Sequence, residues 1–542
     1  MALDRTMDRD YEGLPAMPVL AMALFEQAGL TELIDSIVVP DPRKVLTPGN
    51  AVKAMVGAFF RSRGRQPLYM MERFYLSAPV DLLFGPKVNH NSLGDRAFER
   101  DLDDLFEVNL PDLIHRCYGR LCSRFGLESS LFNIDCTNFT ITVLVKDADR
   151  DGATIPQRCG HAKDGHNDRL VYSMLTVTDD NGIVCYERPY DGATSDSVMD
   201  RDAIEYLSTV CDPRVTTLIG DCKIVTAPLI ELMASKGFGF VSKCPNNFGE
   251  KIRQTIVDSV ESDMMVPSTI RDGWELYDTD AVVDGRELRF IAYRTDEDVE
   301  HSMEYLRTQG RKEAESLFNR FASKQFNCEE DARREFAEVL KRHRDSAYVP
   351  RMEVVPIEVK SKYGKRGRPP KDWVPEVRNE YRVDVELVFD DDRAQELTKD
   401  RCINVLITNL PRPEKDVDNI REGADADTVL RSYLGQYKVE HAFRLMKSGF
   451  GLSTVYLHKP SREDSMMAII SLATMVSDVI HKVLKDKGID NTAENIANEL
   501  MSLNIMHDRS RGTEFFRGSD IAIEEFLTYA DALGIDTDHL YS

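Results

Sequence analysis

The sequence predicts an α/β fold: a mixed sheet flanked by helices, preceded by an all-α region and split by a long, mostly β insertion. Three observations predict it. Residues 1–128 carry apolar side chains at three- and four-residue spacing without strand alternation; at Ser129 the period switches to two; and from there to residue 244 short apolar strands come to alternate with helical stretches. A chain of 542 residues exceeds what one core can organise, so several domains are expected.

In the first region LPAMPVLAMALFEQAGLTELIDSI, PGNAVKAMVGAFFRS and DLDDLFEVNLPDLIHRCYGRLCSRFG are amphipathic helices jointed at Pro and Gly, a small N-terminal domain over residues 1–128. The next segment, SLFNIDCTNFTITVLV (130–145), puts Asn133, Asp135 and Thr137 on one face and Phe132, Ile134 and Cys136 on the other. RLVYSMLTVT and IVCYERPY flank Asp179-Asp180-Asn181-Gly182, where Asn-Gly suits a tight primed turn, so three antiparallel strands follow. Then come DSVMDRDAIEYLSTV as a helix, VTTLIGD as a strand, TAPLIELMASKG as a helix with Pro228 in its first turn and Gly237 at its end, and GFGFVSK as a strand. Strand–helix–strand alternation demands parallel pairing with crossovers. Antiparallel strands leading into parallel βαβ units are the order of a ribonuclease-H-like core, expected here over residues 129–244 and 403–490.

Residues 245–402 interrupt that core with the strands GRELRFIAYRT, MEVVPIEVK and YRVDVELVFD and a long polar helix near 311–343. INVLITNL (403–410) is either the insertion's last strand or a return to the core. SREDSMMAIISLATMVSDVIHKVLKDKG is a helix with Ser461 and Asp464 at capping-box spacing and Gly488 at its end. Residues 491–542 form an acidic tail, expected to be helical.

Composition narrows the function. With 42% apolar and 30% charged residues the chain reads as an ordinary soluble protein. Its longest apolar stretch, Met466–Val476, is broken by Ser471 and Thr474 and falls short of the roughly 20 residues that span a bilayer. With no secretion-type series at the N-terminus, a cytoplasmic, nucleoid-associated protein without a membrane partner is expected. Ten cysteines without a C-x-x-C pair argue against a zinc ribbon, a redox motif or a disulfide framework. They read as buried thiols, with Cys136 and Cys222 turned into the core by strand alternation. A net charge of −23 opposes phosphate binding, yet KSKYGKRGRPPK (360–371) holds six cations and no acid, while residues 514–542 hold seven acids and one arginine. Contact with DNA must therefore come from basic patches on an acidic body.

The chemistry concentrates in YLGQYKVEHAFRLMK (433–447). On a helix with Glu440 as origin, Tyr433, Gln436, Arg444 and Lys447 all fall within a stripe about 80° wide, and Leu434, Val439, Ala442, Leu445 and Met446 fill the opposite arc. A carboxylate beside a phenol, an amide and two cations suits a metal ion held against a phosphate backbone. Asp135 lies mid-strand, and Asp221 closes the apolar strand before a helix. If those strands adjoin, both carboxylates converge, and with Glu440 they form an all-oxygen catalytic and metal site for two Mg²⁺ or Mn²⁺ ions about 3.5–4 Å apart. Each residue alone has a plainer reading: Asp135 as a strand-end cap, Asp221 as a helix-start acid, 433–447 as a solvated amphipathic surface. Their order along the chain favours the site.

In that order the chain resembles the DDE transposases of prokaryotic insertion sequences, in the superfamily whose last acid lies in a Y-x2-R-x3-E-x6-K signature and whose core carries a strand-rich insertion. Tyr433, Glu440 and Lys447 match; Gln436 stands at the arginine position, where it can donate to phosphate without charge, with Arg444 one turn beyond Glu440. GHAKDGHND (160–168), YDGATSD (190–196) and HAFRLMKSGF (441–450) are similar to the long-insertion branch, so the resemblance covers about residues 10–485. It implies catalytic Asp135, Asp221 and Glu440, with Tyr433, Gln436, Arg444 and Lys447 on DNA. It further implies cleavage at the element's terminal inverted repeats, strand transfer into target DNA, and a homodimer assembled on double-stranded DNA. Lys365, Arg366 and Arg368, in K-R-G-R-P, resemble an AT-hook, whose extended segment lies in a narrow minor groove; a solvated basic loop is the alternative. His161, Lys163 and His166 read as a loop near DNA, and Asp196 and Asp200 as helix-start acids. Two other functions fit less well: a retired, DNA-binding relative and another ribonuclease-H-like nuclease.

Overall fold

A computed structural model describes residues 11–39, 41–61, 68–141, 170–261, 263–344, 346–360, 370, 372–414, 419–450, 457 and 459–541. Lys365, Arg366 and Arg368, like His161, Lys163 and His166, lie outside the described residues. The chain folds as two compact units, Met1–Ser242 with Thr408–Ser542, and Lys243–Ile407.

The mixed α/β character expected from the sequence is present. In the first unit β1 (Leu131–Ile141), β2 (Leu170–Asp179), β3 (Val184–Asp191), β4 (Thr217–Gly220) and β5 (Gly239–Lys243) adjoin in the order β3-β2-β1-β4-β5. The β1–β2 and β2–β3 pairs are antiparallel, whereas β1–β4 and β4–β5 are parallel. Crossover helices α1 (Asp196–Val210) and α2 (Ala227–Lys236) make the parallel pairs possible. All four residues of β4 are buried, which is why TLIG reads as a plain apolar run rather than an alternation. Helix α2 starts where the Thr226 hydroxyl accepts the Leu229 N–H and stops at Gly237, whose φ of +91° suits a residue without Cβ.

The β2–β3 turn differs from the tight primed turn expected. Gly182 alone takes positive φ, +85°, and Asp179 closes a wider turn by accepting the N–H groups of Asn181 (2.8 Å) and Ile183 (2.9 Å) through its carboxylate. The wider turn is accompanied by a register shift at Val177/Thr178.

Helices α3 (Ala426–Leu434) and α4 (Tyr437–Arg444) lie on this sheet, α3 against β4 and α4 against β1 and β2. The unit's central helix α5 (Pro460–Asp486) packs on β3 and on helices Pro48–Phe59, Asp95–Phe106 and Leu110–Phe125. Over Ser461–Asp486 this helix is long and apolar enough to cross a membrane, against the reading from its longest apolar run, but 89% of its most apolar window is buried inside the protein. Ser471 and Thr474, fully buried, do not break it. The expected Ser461–Asp464 capping box does not form, because the helix begins at Pro460 and its cap residue, Lys459, has no side-chain acceptor. Arg462 instead bonds Asp103 twice at 2.7 Å.

Two regions read as wholly helical contain strands. Tyr11–Pro15, Asn504–Asp508 and Thr513–Arg517 form an antiparallel sheet. YEGLP is too short to show a period, and the acidic bias of the tail masks the alternation in TEFFR. In the second unit the long polar helix expected near 311–343 is two helices, Asp296–Ala322 and Glu329–Lys341. They are parted at Gln325–Phe326, which pairs with the strand Val377–Phe389. Phe326 there joins a core of Phe318, Phe321, Phe336 and Val383. Residues 403–410 take part in both units. Val405 O accepts the Cys244 N–H in the second, and in the first Thr408 Oγ1 donates to Phe240 O (2.5 Å) and Asn409 Nδ2 to Phe238 O (3.0 Å).

Candidate active site

The parallel register of β1 and β4 runs from Leu131↔Thr217 to Ile134↔Gly220. The next residues are Asp135 and Asp221, and Asp221 remains extended (φ −71°, ψ 179°), so the two acids continue neighbouring strands on one side of the sheet. Each is tied to its own backbone. Asp135 Oδ1 accepts the Cys136 N–H at 2.8 Å, and Asp221 Oδ1 accepts the Lys223 N–H at 2.9 Å, capping a single turn over Cys222–Ile224. Ser242 Oγ donates to Asp221 O at 2.7 Å, which links this turn to the end of β5. Because the chain turns after Asp221, Cys222 is exposed and not in the core as expected; Cys328 is exposed as well. Cys136 is buried, and burial pushes its thiol well above the ordinary range.

Residues 433–447 do not form the single uniform helix expected. Hydrogen bonds tighten to three-residue spacing around Gly435, with Lys438 N–H on Gly435 O and Val439 N–H on Gln436 O, which divides α3 from α4. Beyond Arg444 the helix widens over Leu445–Gly449, and Phe450 N–H reaches back to Leu445 O. Tyr433 therefore sits on α3, Gln436 caps α4, Glu440 and Arg444 stand exposed on α4, and Lys447 lies in the widened turn. The apolar arc holds the helix down: Val439, Ala442 and Met446 are fully buried. Lys447 Nζ donates to Thr137 Oγ1 at 2.5 Å, two residues beyond Asp135 on the same face of β1.

The Tyr433 phenol is the meeting point. Burial, then the charges of Asp221, Cys222, Glu440 and Asp135, push its pKa up to about 12, so the three predicted acids act on one hydroxyl. The expected joint ligand set does not stand ready. Among the described residues no three His, Cys, Asp or Glu side chains could hold one ion together. Asp135 and Asp221 each spend an oxygen on a neighbouring N–H, and Glu440 is exposed.

Asp200, read from sequence as a helix-start acid, is the fifth residue of α1, only 5% exposed. Burial first, then Asp221 and Asp196, push its pKa up to about 7, with Lys223 opposing and Asp135 adding. Asp196 does start α1, but its carboxylate pairs with the Lys223 ammonium. The spacing of Asp196 and Asp200, one helical turn apart, is the sequence signal that links both to this side of α1. In kind, carboxylate oxygens are the donors a hard divalent cation takes.

A family model described as a domain of unknown function (DUF4277) matches residues 14–117. No curated protein matches the chain. Among solved structures, a piggyBac transposase synaptic complex with hairpin DNA is similar at 9% identity and a TM-score of 0.37, over 97% of this chain and 87% of that one.

Proposed function

We propose that the chain is a DDE transposase of an insertion sequence, with a ribonuclease-H-like core that cuts DNA at element ends and joins them to target DNA. The observation that carries this reading is the β1–β4 register, which runs into Asp135 and Asp221 side by side, with Glu440 acting on the same phenol. Three antiparallel strands followed by two parallel ones support the core assignment.

In this reading Asp135, Asp221 and Glu440 would draw together to hold two Mg²⁺ or Mn²⁺ ions. A divalent cation bound there supplies positive charge for water activation and for the leaving oxygen. Tyr433, kept protonated at neutral pH, donates its O–H to a phosphate oxygen. Gln436 donates an uncharged N–H, and Arg444 and Lys447 bring charge to neighbouring phosphates. Lys447, held at Thr137, sets its ammonium beside the Asp135 strand. Water and then the freed 3′-hydroxyl attack in line, and no covalent enzyme intermediate is needed. Double-stranded DNA bearing inverted repeats is the partner, and a homodimer on paired ends is the working assembly.

The test is cleavage of a plasmid carrying the inverted repeats that flank the gene, with Mg²⁺, by the native chain and by Glu440→Gln. The native chain is expected to cut at the repeat ends and the variant to bind without cutting. Equal cutting by both would remove Glu440 from catalysis and end the reading.

A further inference from the structure

We propose that Thr176 is a positioning residue for Asp135: its hydroxyl donates across the β1–β2 pair and fixes the direction of that carboxylate. The proposal rests on the reading of Asp135 given above. The strand register puts Asp135 directly opposite Thr176, and Thr176 directly opposite Glu187 of β3, so the three share one row on one face of the sheet. Thr176 is fully withdrawn from water, and its Oγ1 has no hydrogen-bond partner among the described residues. A hydroxyl buried in that state costs stability that valine, of nearly the same shape, would not. Packing alone therefore does not call for threonine at this position.

The neighbours narrow what the hydroxyl serves. On one side of the row, Glu187 already accepts from Ser471 of α5. Along β1, Thr137 accepts from Lys447, and Asn133 Nδ2 donates to Asp179 O. Asp135 is the acceptor on the other side of the row. As a carboxylate it has about four places for donors, and Oδ1 gives one to the Cys136 N–H. Side chains directly opposite on an antiparallel pair have Cβ atoms about 4.5–5.5 Å apart, a span that one hydroxyl-to-carboxylate hydrogen bond closes once the side chains rotate toward each other. A donor on the neighbouring strand, added to the Cys136 N–H, stops the carboxylate from swinging, which is what in-line attack beside it requires.

The experiment measures cleavage of the repeat-end plasmid by the full chain with Mg²⁺, as kcat and KM, and urea unfolding of the same preparations. Thr176→Val is expected to lose about tenfold or more in kcat with KM little changed, and to unfold at no lower urea than the native chain. Thr176→Ser, which keeps the hydroxyl, should cut within about threefold of native. Thr178→Val is the control: Thr178 is equally buried and its Oγ1 equally without a partner among the described residues, but it stands opposite Asn133, so this variant should cut like the native chain. Native-like cutting by Thr176→Val overturns the role of Thr176 and leaves the site reading standing. So does a loss of equal size in Thr178→Val or in Thr176→Ser, since packing and not the hydroxyl would then be at work. No cutting by the native chain overturns both. If Thr176→Val does not fold, Thr176→Ser and Thr176→Ala decide: equal cutting overturns the assignment, and cutting at least about tenfold faster by Thr176→Ser supports it.

Discussion

Glu187 and Asp200 are both withdrawn from water in the same unit, at 2% and 5% exposure, but they are dressed differently. Glu187, on β3, accepts the Ser471 hydroxyl of α5, and apart from burial that bond is what acts on its titration. Asp200 has no donor and three carboxylates in its field. Burial pushes both toward the protonated form, the first against one hydroxyl in a core and the second among other acids. Burial alone therefore does not mark a functional acid.

The largest effect that separates the two groups is catalytic. Asp135→Asn or Asp221→Asn is expected to lower cleavage by about a thousandfold or more, the scale on which key electrostatic groups act, with little change in melting. Glu187→Gln should cut normally. Cleavage lost in Glu187→Gln with its fold intact would break the comparison.

Next comes pH. Burial pushes Glu187 up to about 8 from a usual 4.5, with the Ser471 bond opposing, so the folded chain keeps a proton that the unfolded chain gives up. The contribution is whole below about 4.5 and is lost as pH rises toward 8, at up to about 1.4 kcal/mol per pH unit. Urea unfolding of Glu187→Gln between pH 5 and 8 should show a gap to the native chain that moves in the variant's favour as pH rises. Parallel curves would mean that Glu187 carries no proton. Asp200→Asn should tilt in the same sense, because burial pushes that carboxyl up to about 7.

A smaller effect is expected at the phosphate-facing edge. Lys447→Met should weaken binding to a repeat-end duplex by roughly tenfold and reduce the salt dependence of log K by about one unit, for nearly any sequence. A loss confined to one end sequence would recast Lys447 as a reader of bases.

How much of this was legible follows the same division. Strand period, Gly237 and the alternation of Asp135 with Cys136 are local, so strands β1–β5 and crossover helices α1 and α2 could be read directly. The break at Gly435 and the widened turn at Leu445–Gly449 could not, because Gly435 keeps helical φ and ψ and only hydrogen-bond spacing changes. Cys222 was misread because strand alternation was carried one residue past the point where Asp221 caps a turn. Asp200 was missed because helix-start position and burial are independent. Its neighbours come from strands 65 and 21 residues away, a distance that periodicity does not see.

The smallest effect concerns what holds α4 over the sheet. Lys438 Nζ donates to Asp180 O at 2.5 Å and to Asp180 Oδ1 at 2.8 Å, fastening the helix that carries Glu440 to the β2–β3 turn. The two side chains are 25% and 50% exposed, so water screens the pair, and Lys438→Ala should cost only about 0.5–1 kcal/mol, less at high salt. The apolar arc of Val439, Ala442 and Met446 should keep α4 in place, and cleavage should persist. Urea unfolding at low and high salt, with cleavage measured on the same preparation, checks both. Cleavage lost while stability barely moves would show that this surface pair, and not the buried arc, sets the position of Glu440.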